Sequence, residues 1–134
     1  MLSLRPDSGG AGTFRGGLGT CNTYRVLEPC KLIVKFDRID CPPWGVAGGK
    51  DGVPGWVTVH KKNGEKKALR KTKGYALEVG DVVHVEAGGG GGWGDPTKRE
   101  VALVQRDLVR GYITPEIAER DYAVTLTVDG QARR

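Results

Sequence analysis

Five consecutive glycines, Gly88 to Gly92, constrain this chain more than any other feature of its sequence. Each costs about 0.5–1 kcal/mol relative to alanine where alanine would fit, because glycine loses more backbone freedom on folding. A folded domain retains only about 5–15 kcal/mol of stability in total. We therefore expect the run to serve a positive φ, or a ligand or another chain that approaches closer than a Cβ allows. A mobile loop tip is the alternative.

Length and composition indicate one domain spanning residues 1–134, which is long enough to bury about two-thirds of its unfolded surface. Apolar residues make up 38% of the chain and include three tryptophans, so a core can form. No apolar stretch approaches the ~20 residues of a membrane span, and the first residues lack the apolar centre of a signal peptide. We expect a cytoplasmic protein without a membrane partner.

The cysteines and histidines do not form a recognisable metal motif. Cys21, Cys30 and Cys41 contain no Cys-x-x-Cys pair, and neither His60 nor His84 stands at ligand spacing from a cysteine. We expect three free thiols and no metal site. Each histidine alternates with valines, which predicts a strand residue on a polar face.

Basic residues concentrate between Lys61 and Lys73, where seven of them accompany a single acidic residue, Glu65. Their segment has a net charge of +6 in a chain of net charge +5, so the remainder is close to neutral. Asn63-Gly64 lies inside it and is a strong signal for a two-residue hairpin turn. No aromatic residue is available there to stack on a base. We expect a solvated hairpin, with no specific nucleic-acid partner.

Short alternating apolar runs predict strands that are separated by long glycine-rich loops. The loops are residues 7–19 and 41–55. The predicted strands are residues 21–28 and 31–36, runs centred on Val57 and Val59 and on Val83 and Val85, and a last one through Val124, Leu126 and Val128.

Two helices are predicted near the C-terminal end. Thr97 and Glu100 form a capping-box pattern that starts the first helix, and Gly111 is placed to end it. Thr114 starts the second helix, followed by proline at the first helical position. The chain is therefore predicted to be α+β, a β-rich domain of mostly antiparallel strands with long glycine-rich loops and two C-terminal helices.

The glycine loops match no phosphate-binding template. Gly49-Lys50 is followed by Asp51, where a Walker loop needs a hydroxyl, and Arg15 stands where a dinucleotide fingerprint needs its third glycine. An anion nest remains open where Gly88 to Gly94 leads into the first helix, although Asp95 would repel an anion and is better suited to cap that helix. No nucleophile and base pair is evident, so we predict no catalytic residue.

Three segments nevertheless resemble one family in order. Residues 7–17 resemble the DSGGAGxxRGG motif of the hydantoinase B/oxoprolinase family, and residues 88–96 look like its GGGGYGDP loop. Residues 106–124 are similar to its RDVxxGxxSPExAxxDYGV ending. Two departures stand out: Trp93 replaces the usual tyrosine, and Ala123 replaces the usual glycine. The matches extend from Asp7 to Val124.

The resemblance implies the C-terminal domain of a larger hydantoinase B-type subunit. Family enzymes pair this subunit with a hydantoinase A-type partner that handles ATP, and they open cyclic amides such as N-methylhydantoin or 5-oxoproline. A related branch carboxylates ketones with ATP. The resemblance also implies ATP and a divalent metal for the whole enzyme, with neither bound by this chain alone.

We accordingly expect the glycine-rich loops to line a site or a subunit contact, the alternative being a purely structural interaction domain. The candidate loop residues are Asp7, Ser8, Gly9, Gly10, Arg15, Gly16, Gly17, Gly88, Gly89, Gly90, Gly91, Gly92 and Asp95.

Overall fold

A five-stranded antiparallel sheet forms the larger part of the computed structural model, which describes residues 1–134. Valines that alternate with polar residues make one face of its central strands apolar, as a half-buried sheet requires. Val57 and Val59 are buried on that face. In order across the sheet, the strands are β1 (Leu2–Leu4), β2 (Thr20–Arg25), β7 (Val82–Glu86), β4 (Trp56–His60) and β5 (Lys66–Leu69).

A two-stranded ribbon covers the apolar face of this sheet. It pairs β3 (Cys30–Lys35) with β6 (Lys71–Leu77) in antiparallel register, with an irregularity between Leu32 and Ile33. Seven buried residues fill the space between ribbon and sheet and form the first core: Val26, Val34, Val57, Val59, Leu69, Leu77 and Val83.

The helices form a second, separate core. A short 3₁₀ turn (Pro96–Lys98) leads into α1 (Val101–Val109), and α2 (Pro115–Tyr122) follows. A small hairpin of β8 (Thr125–Leu126) and β9 (Ala132–Arg133) ends the chain. The second core consists of Ala11, Val104, Ile113, Ala118, Tyr122 and Val124, so the first glycine-rich segment contributes to it through Ala11.

These elements confirm the predicted fold class, with mostly antiparallel strands and two helices near the C-terminus. Thr114 caps α2 by accepting a hydrogen bond from the Ile117 amide at 3.4 Å, as predicted. Gly111, with φ of 65°, follows the end of α1 and also agrees with its predicted role. The last strand is shorter than predicted, because Val128 is fully exposed and lies in the turn between β8 and β9.

Two local predictions are wrong. The first helix begins at Val101 rather than near Thr97, because Arg99 has extended backbone angles that separate the 3₁₀ turn from α1. The hairpin turn after β4 is longer than the predicted two residues. Lys61 pairs with Glu65 across it, and only Gly64 has positive φ, whereas a two-residue type I′ turn needs two such residues.

Candidate functional site: a glycine-rich interior

The three glycine-rich segments, residues 8–19, 44–55 and 88–95, bind one another through backbone hydrogen bonds. We call this arrangement the glycine bundle. The amide of Gly10 donates to the carbonyl of Gly90 at 2.8 Å, and the amide of Gly90 donates to Gly17 at 2.9 Å. The amide of Gly92 donates to Lys50 at 2.9 Å. The last segment therefore lies between the other two rather than projecting into solvent as a mobile tip.

Close backbone packing explains the glycines of the last segment. None of Gly88 to Gly92 has positive φ, so conformational freedom is not the reason for them. A Cβ on Gly89 would overlap the carbonyl oxygen of Ser8. A Cβ on Gly92 would overlap that of Ala11. The chain that approaches closer than a Cβ allows is thus the protein's own backbone.

The packing is reciprocal between segments. A Cβ on Gly16 would overlap the carbonyl oxygen of Gly90, and a Cβ on Gly52 would overlap that of Gly89. Gly90 itself is less crowded, because the nearest atom to its Cβ would be the amide nitrogen of Gly17 at 3.3 Å. Glycine is therefore required at particular positions of the bundle and not uniformly along it.

Asp7 and Ser8 fix the start of the first segment. Asp7 has a positive φ of 58°, its amide donates to the Tyr112 carbonyl, and its carboxylate accepts from the Thr114 amide at 2.8 Å. The buried hydroxyl of Ser8 donates to the Arg5 carbonyl at 2.6 Å and accepts from the Gly19 amide. The Asp7 side chain thus ties the first segment to the start of α2, and the Ser8 side chain holds the two ends of the first segment together.

Arg15 reaches from the first glycine-rich segment into the helical core. Its Nε donates to Oδ2 of Asp107 at 2.9 Å, and a second guanidinium, that of Arg99, donates to the same oxygen at the same distance. Asp107 is fully buried and the side chain of Arg99 is nearly so. A buried carboxylate that holds two cations joins the bundle to α1, and removing it would leave both charges without a partner.

Lys50 makes the equivalent connection from the middle segment to α2. Its Nζ donates to Oδ1 of the buried Asp121 at 2.6 Å, and Arg120 donates to both oxygens of that carboxylate. Burial acts to raise the pKa of Asp121, but the hydrogen bonds from Arg120 and Lys50 outweigh it and lower the pKa. The Asp121 carboxylate is therefore held in its charged form.

Asp95 begins the helical part, as predicted, although it caps the 3₁₀ turn rather than α1. Its Oδ1 accepts from the amide of Thr97 at 2.9 Å and from the Thr97 hydroxyl, and these bonds lower its pKa. The amides of Gly89, Gly90 and Gly92 already donate to carbonyls of the same chain. Most donors on which an anion nest would depend are therefore in use.

Three buried polar atoms beside these ion pairs have no hydrogen-bond partner: Nε of Arg99, Oδ1 of Asp107 and the hydroxyl of Tyr122. Burial raises the pKa of Tyr122 to about 12, more than the nearby arginine charges lower it. The phenol therefore stays neutral at any ordinary pH.

The glycine bundle presents an apolar rim to solvent. Trp93 forms isolated β-bridges with Phe14 and with Val46, one residue from each of the other two segments. The rings of Phe14 and Trp93 have centroids 5.7 Å apart. All three side chains are at least half exposed. Exposed apolar groups that are clustered in this way are typical of surfaces that contact another protein.

The other candidate groups stay apart from the bundle. His60 and His84 touch edge to face on the polar side of the sheet, with ring centroids 4.8 Å apart. Cys21, Cys30 and Cys41 are all free thiols. No three His, Cys, Asp or Glu side chains converge closely enough to hold a metal ion.

Sequence reasoning missed the partners of the ion pairs. Asp107 and Asp121 lie within residues 106–124, the segment that resembles the family ending. Their place in that motif could have marked them as candidates. Arg99 and Lys50 carried no such signal. Their roles follow only from the tertiary contacts with Asp107 and Asp121.

Comparison with known proteins places this arrangement in one family. The family model of hydantoinase B/oxoprolinase matches residues 1–96, which include all three segments of the glycine bundle. The chain belongs to the hydantoinase B/oxoprolinase family. Helices α1 and α2 lie beyond the residues that the family model matches.

Curated relatives of the family are similar along nearly the whole chain. An uncharacterised protein of Methanocaldococcus jannaschii is 42% identical over 92% of this chain and 22% of its own length. The beta chain of the Pseudomonas jessenii caprolactamase is 33% identical over 96% of this chain and 23% of its own length. The B component of a putative D-/L-hydantoinase of Pseudomonas sp. (strain NS671) is 30% identical over 92% of this chain and 21% of its own length. This chain therefore spans under a quarter of the length of these relatives.

Solved structures share the fold. The ATP-dependent caprolactamase of Pseudomonas jessenii superposes with a TM-score of 0.78 at 29% identity, covering 98% of this chain and 24% of that one. A nucleotide-free acetone carboxylase superposes with a TM-score of 0.73, covering 98% and 22%, but at 21% identity it shows the fold alone. Neither helix of the present chain is long and apolar enough to cross a membrane.

Proposed function

We propose that this chain is a glycine-rich domain of an ATP-dependent enzyme that hydrolyses cyclic amides, of the N-methylhydantoinase or 5-oxoprolinase type. The observation that carries the proposal is the similarity to the ATP-dependent caprolactamase, at 29% identity over 98% of the chain. Relatives named as a hydantoinase component and as 5-oxoprolinases support it. Caprolactam, hydantoins and 5-oxoproline share a ring amide, so the named relatives point to one substrate class.

Within such an enzyme, we propose that the glycine bundle forms a subunit contact rather than the wall of a substrate site. The space beside Gly89 and Gly92 is filled by carbonyl groups of the same chain, which leaves no room there for a substrate. The rim of Phe14, Val46 and Trp93 instead offers apolar surface to a partner. The partners are the remainder of a hydantoinase B-type subunit and a hydantoinase A-type subunit that handles ATP.

ATP and a divalent metal belong to the whole enzyme in this proposal, and the residues of this chain fit neither. No cluster of three metal-binding side chains is present. The sequence has no Walker loop, and most amides of the Gly88 to Gly94 run are hydrogen-bonded within the bundle. We therefore assign no step that involves either group to this chain.

A purely structural interaction domain is the second candidate, and the same rim supports it. In that case the ion pairs of Asp107 and Asp121 hold the rim in place and have no catalytic consequence. The remaining alternative is the ketone carboxylase branch. Its support is the similarity in fold to acetone carboxylase.

Measuring turnover by the chain alone and by the assembled enzyme tests these candidate functions. The chain alone, given ATP, magnesium and a hydantoin, 5-oxoproline or caprolactam, should show no turnover. Together with the rest of a B-type subunit and an A-type subunit, it should support ring opening coupled to ATP hydrolysis. ATP-dependent carboxylation of acetone by that assembly, without ring opening, would contradict the proposed reaction.

The rim is tested in the same assembly. Replacing both Phe14 and Trp93 with alanine should weaken assembly and lower turnover together. Leu27 is a still more exposed apolar residue elsewhere, so Leu27→Ala should leave both unchanged. Backbone amide exchange at residues 88–94 should slow when the partner binds. If exchange slows only when substrate is added, the segment lines a substrate site and the interface proposal is wrong.

A further inference from the structure

The outer face of the β3–β6 ribbon carries a concentration of lysine side chains that the proposed function does not use. Residues opposite each other in an antiparallel pair point to the same side. The register pairs Lys35 with Lys71 and Ile33 with Lys73, and Lys31 lies two residues from Ile33 on the same strand. All five residues are exposed, and we call them the lysine face. The opposite side of the ribbon covers the first core.

The fold itself does not need this arrangement. Like charges directly across a strand pair destabilise the pair, as Lys35 and Lys71 must do. One acidic side chain reaches the face: Asp37 lies 3.0 Å from the Nζ of Lys71, and both partners are largely exposed. Such an exposed pair adds little to stability. The lysine face therefore keeps most of its positive charge uncompensated within the chain.

A bulge sets the position of Lys73 on this face. The pairing passes from Leu32 opposite Tyr75 to Ile33 opposite Lys73, which leaves Gly74 as the extra residue, with φ of 121°. Bulges redirect the side chains beside them. With regular pairing and no bulge, Gly74 would stand opposite Ile33 and Lys73 would stand opposite Val34. Lys73 would then point toward the core.

Ile33 distinguishes the kind of partner that fits. Its side chain is 61% exposed and lies among the four lysines. An apolar centre within a polar rim is typical of protein–protein contacts. A surface for single-stranded nucleic acid would instead offer aromatic rings on which bases stack, and the lysine face has none.

We propose that the lysine face binds a separate protein, one that presents carboxylates around an apolar contact. Complementary charge speeds the encounter of partners that meet by diffusion, and carboxylates around an apolar side chain would match the four lysines around Ile33. This inference does not rest on the proposed function, since the lysine face and the rim of the glycine bundle involve different segments.

The test maps binding to the full chain by amide chemical shifts. The probe is a peptide with a pair of leucines between two runs of glutamate, compared with an all-glutamate peptide, oligothymidylate, and vesicles that contain phosphatidylserine. We expect shifts centred on Ile33 and the four lysines, weaker binding at higher salt, and tighter binding of the peptide with leucines. Shifts centred elsewhere, or tighter binding of the oligonucleotide or the vesicles to this face, would overturn the proposal.

Charge reversal provides a second measurement. Lys35→Glu with Lys73→Glu should weaken binding of the leucine-containing peptide at least about tenfold, which corresponds to about 1.4 kcal/mol. Lys98→Glu with Arg133→Glu makes the same change in net charge at exposed positions elsewhere and should have little effect. Ile33→Ser retains all the charge and should remove the advantage of the leucines. Equal weakening by the two double variants would show that only net charge matters and would contradict a specific face.

Discussion

The carbonyl oxygen of Ser8 occupies the space that a Cβ on Gly89 would need. That oxygen also accepts a hydrogen bond from the amide of Val53 at 2.9 Å, so it cannot move aside without breaking a contact between the first and middle segments. The amide of Gly89 in turn donates to the carbonyl of Val53 at 3.0 Å. One glycine, one serine carbonyl and one valine peptide thus tie the three segments of the glycine bundle together.

Gly89→Ala should therefore destabilise the fold. An added methyl group in a closely packed interior costs about 1–3 kcal/mol, and more where backbone cannot shift. Urea unfolding of the purified chain measures the loss. Gly90→Ala is the matched control, because its Cβ would lie 3.3 Å from the nearest atom and its φ is not positive. Equal losses in the two variants would mean that close packing at Gly89 is not what requires glycine.

Asp107→Asn should be among the most destabilising polar changes in the chain. It keeps the shape of the side chain but leaves the guanidinium groups of Arg15 and Arg99 without their counter-charge. Breaking a buried pair in this way costs about 3–5 kcal/mol. Thermal or denaturant unfolding checks it.

Asp40→Asn serves as the control for that change. It breaks an ion pair with Arg70 in which both partners are largely exposed, so the expected loss is about 0–1 kcal/mol. A loss at Asp107 no larger than that at Asp40 would show that the buried pair contributes little to the fold.

Ala123→Gly should stabilise the chain by about 1 kcal/mol, because Ala123 has the left-handed conformation at the end of α2, with φ of 51° and ψ of 42°. The family resemblance has glycine at this position, and the observed conformation supplies the reason. Ala102→Gly, on the exposed side of α1, should do the opposite and cost about 0.5–1 kcal/mol. Differential scanning calorimetry of both variants tests the contrast.

Stability should fall in alkaline solution in a way that depends on Tyr122. Burial raises its pKa from 10 to about 12, so the folded state holds the proton more tightly than the unfolded state does. The resulting stabilisation is fully present below pH 10 and is lost as the pH rises toward 12. Comparing the unfolding of the native chain and Tyr122→Phe across that range isolates the effect.

Two features keep that comparison interpretable. At neutral pH, Tyr122→Phe should change stability little, because the Tyr122 hydroxyl has no hydrogen-bond partner to lose. Tyr24→Phe removes an exposed phenol and should leave the alkaline profile unchanged. An identical alkaline loss in the native chain and in Tyr122→Phe would show that other groups, such as lysines, cause it.

Local patterns in the sequence were sufficient to predict most of the regular elements. Alternating valines place β4 and β7 with the correct face inward, since a strand side chain can point only one of two ways. Thr114 and Gly111 are set by hydrogen bonds and dihedral angles within a few residues, and both predictions are confirmed. The predicted start of α1 was wrong because two residues, Asp95 and Thr97, could each cap a helix there. In the structure Asp95 caps the 3₁₀ turn, and the extended backbone of Arg99 ends that turn before α1 begins.

The sequence by itself favoured a glycine run that something approaches closely over a mobile loop tip, because five consecutive glycines forgo stability that a domain can hardly spare. It also determined the family, through three motifs in order. Only the tertiary structure decided what the run meets. Backbone amides and carbonyls are the same in every residue, so local sequence patterns do not reveal which glycine segment pairs with which. The long-range ion pairs of Asp107 and Asp121 help to fix that choice, since they tie the first segment to α1 and the middle segment to α2.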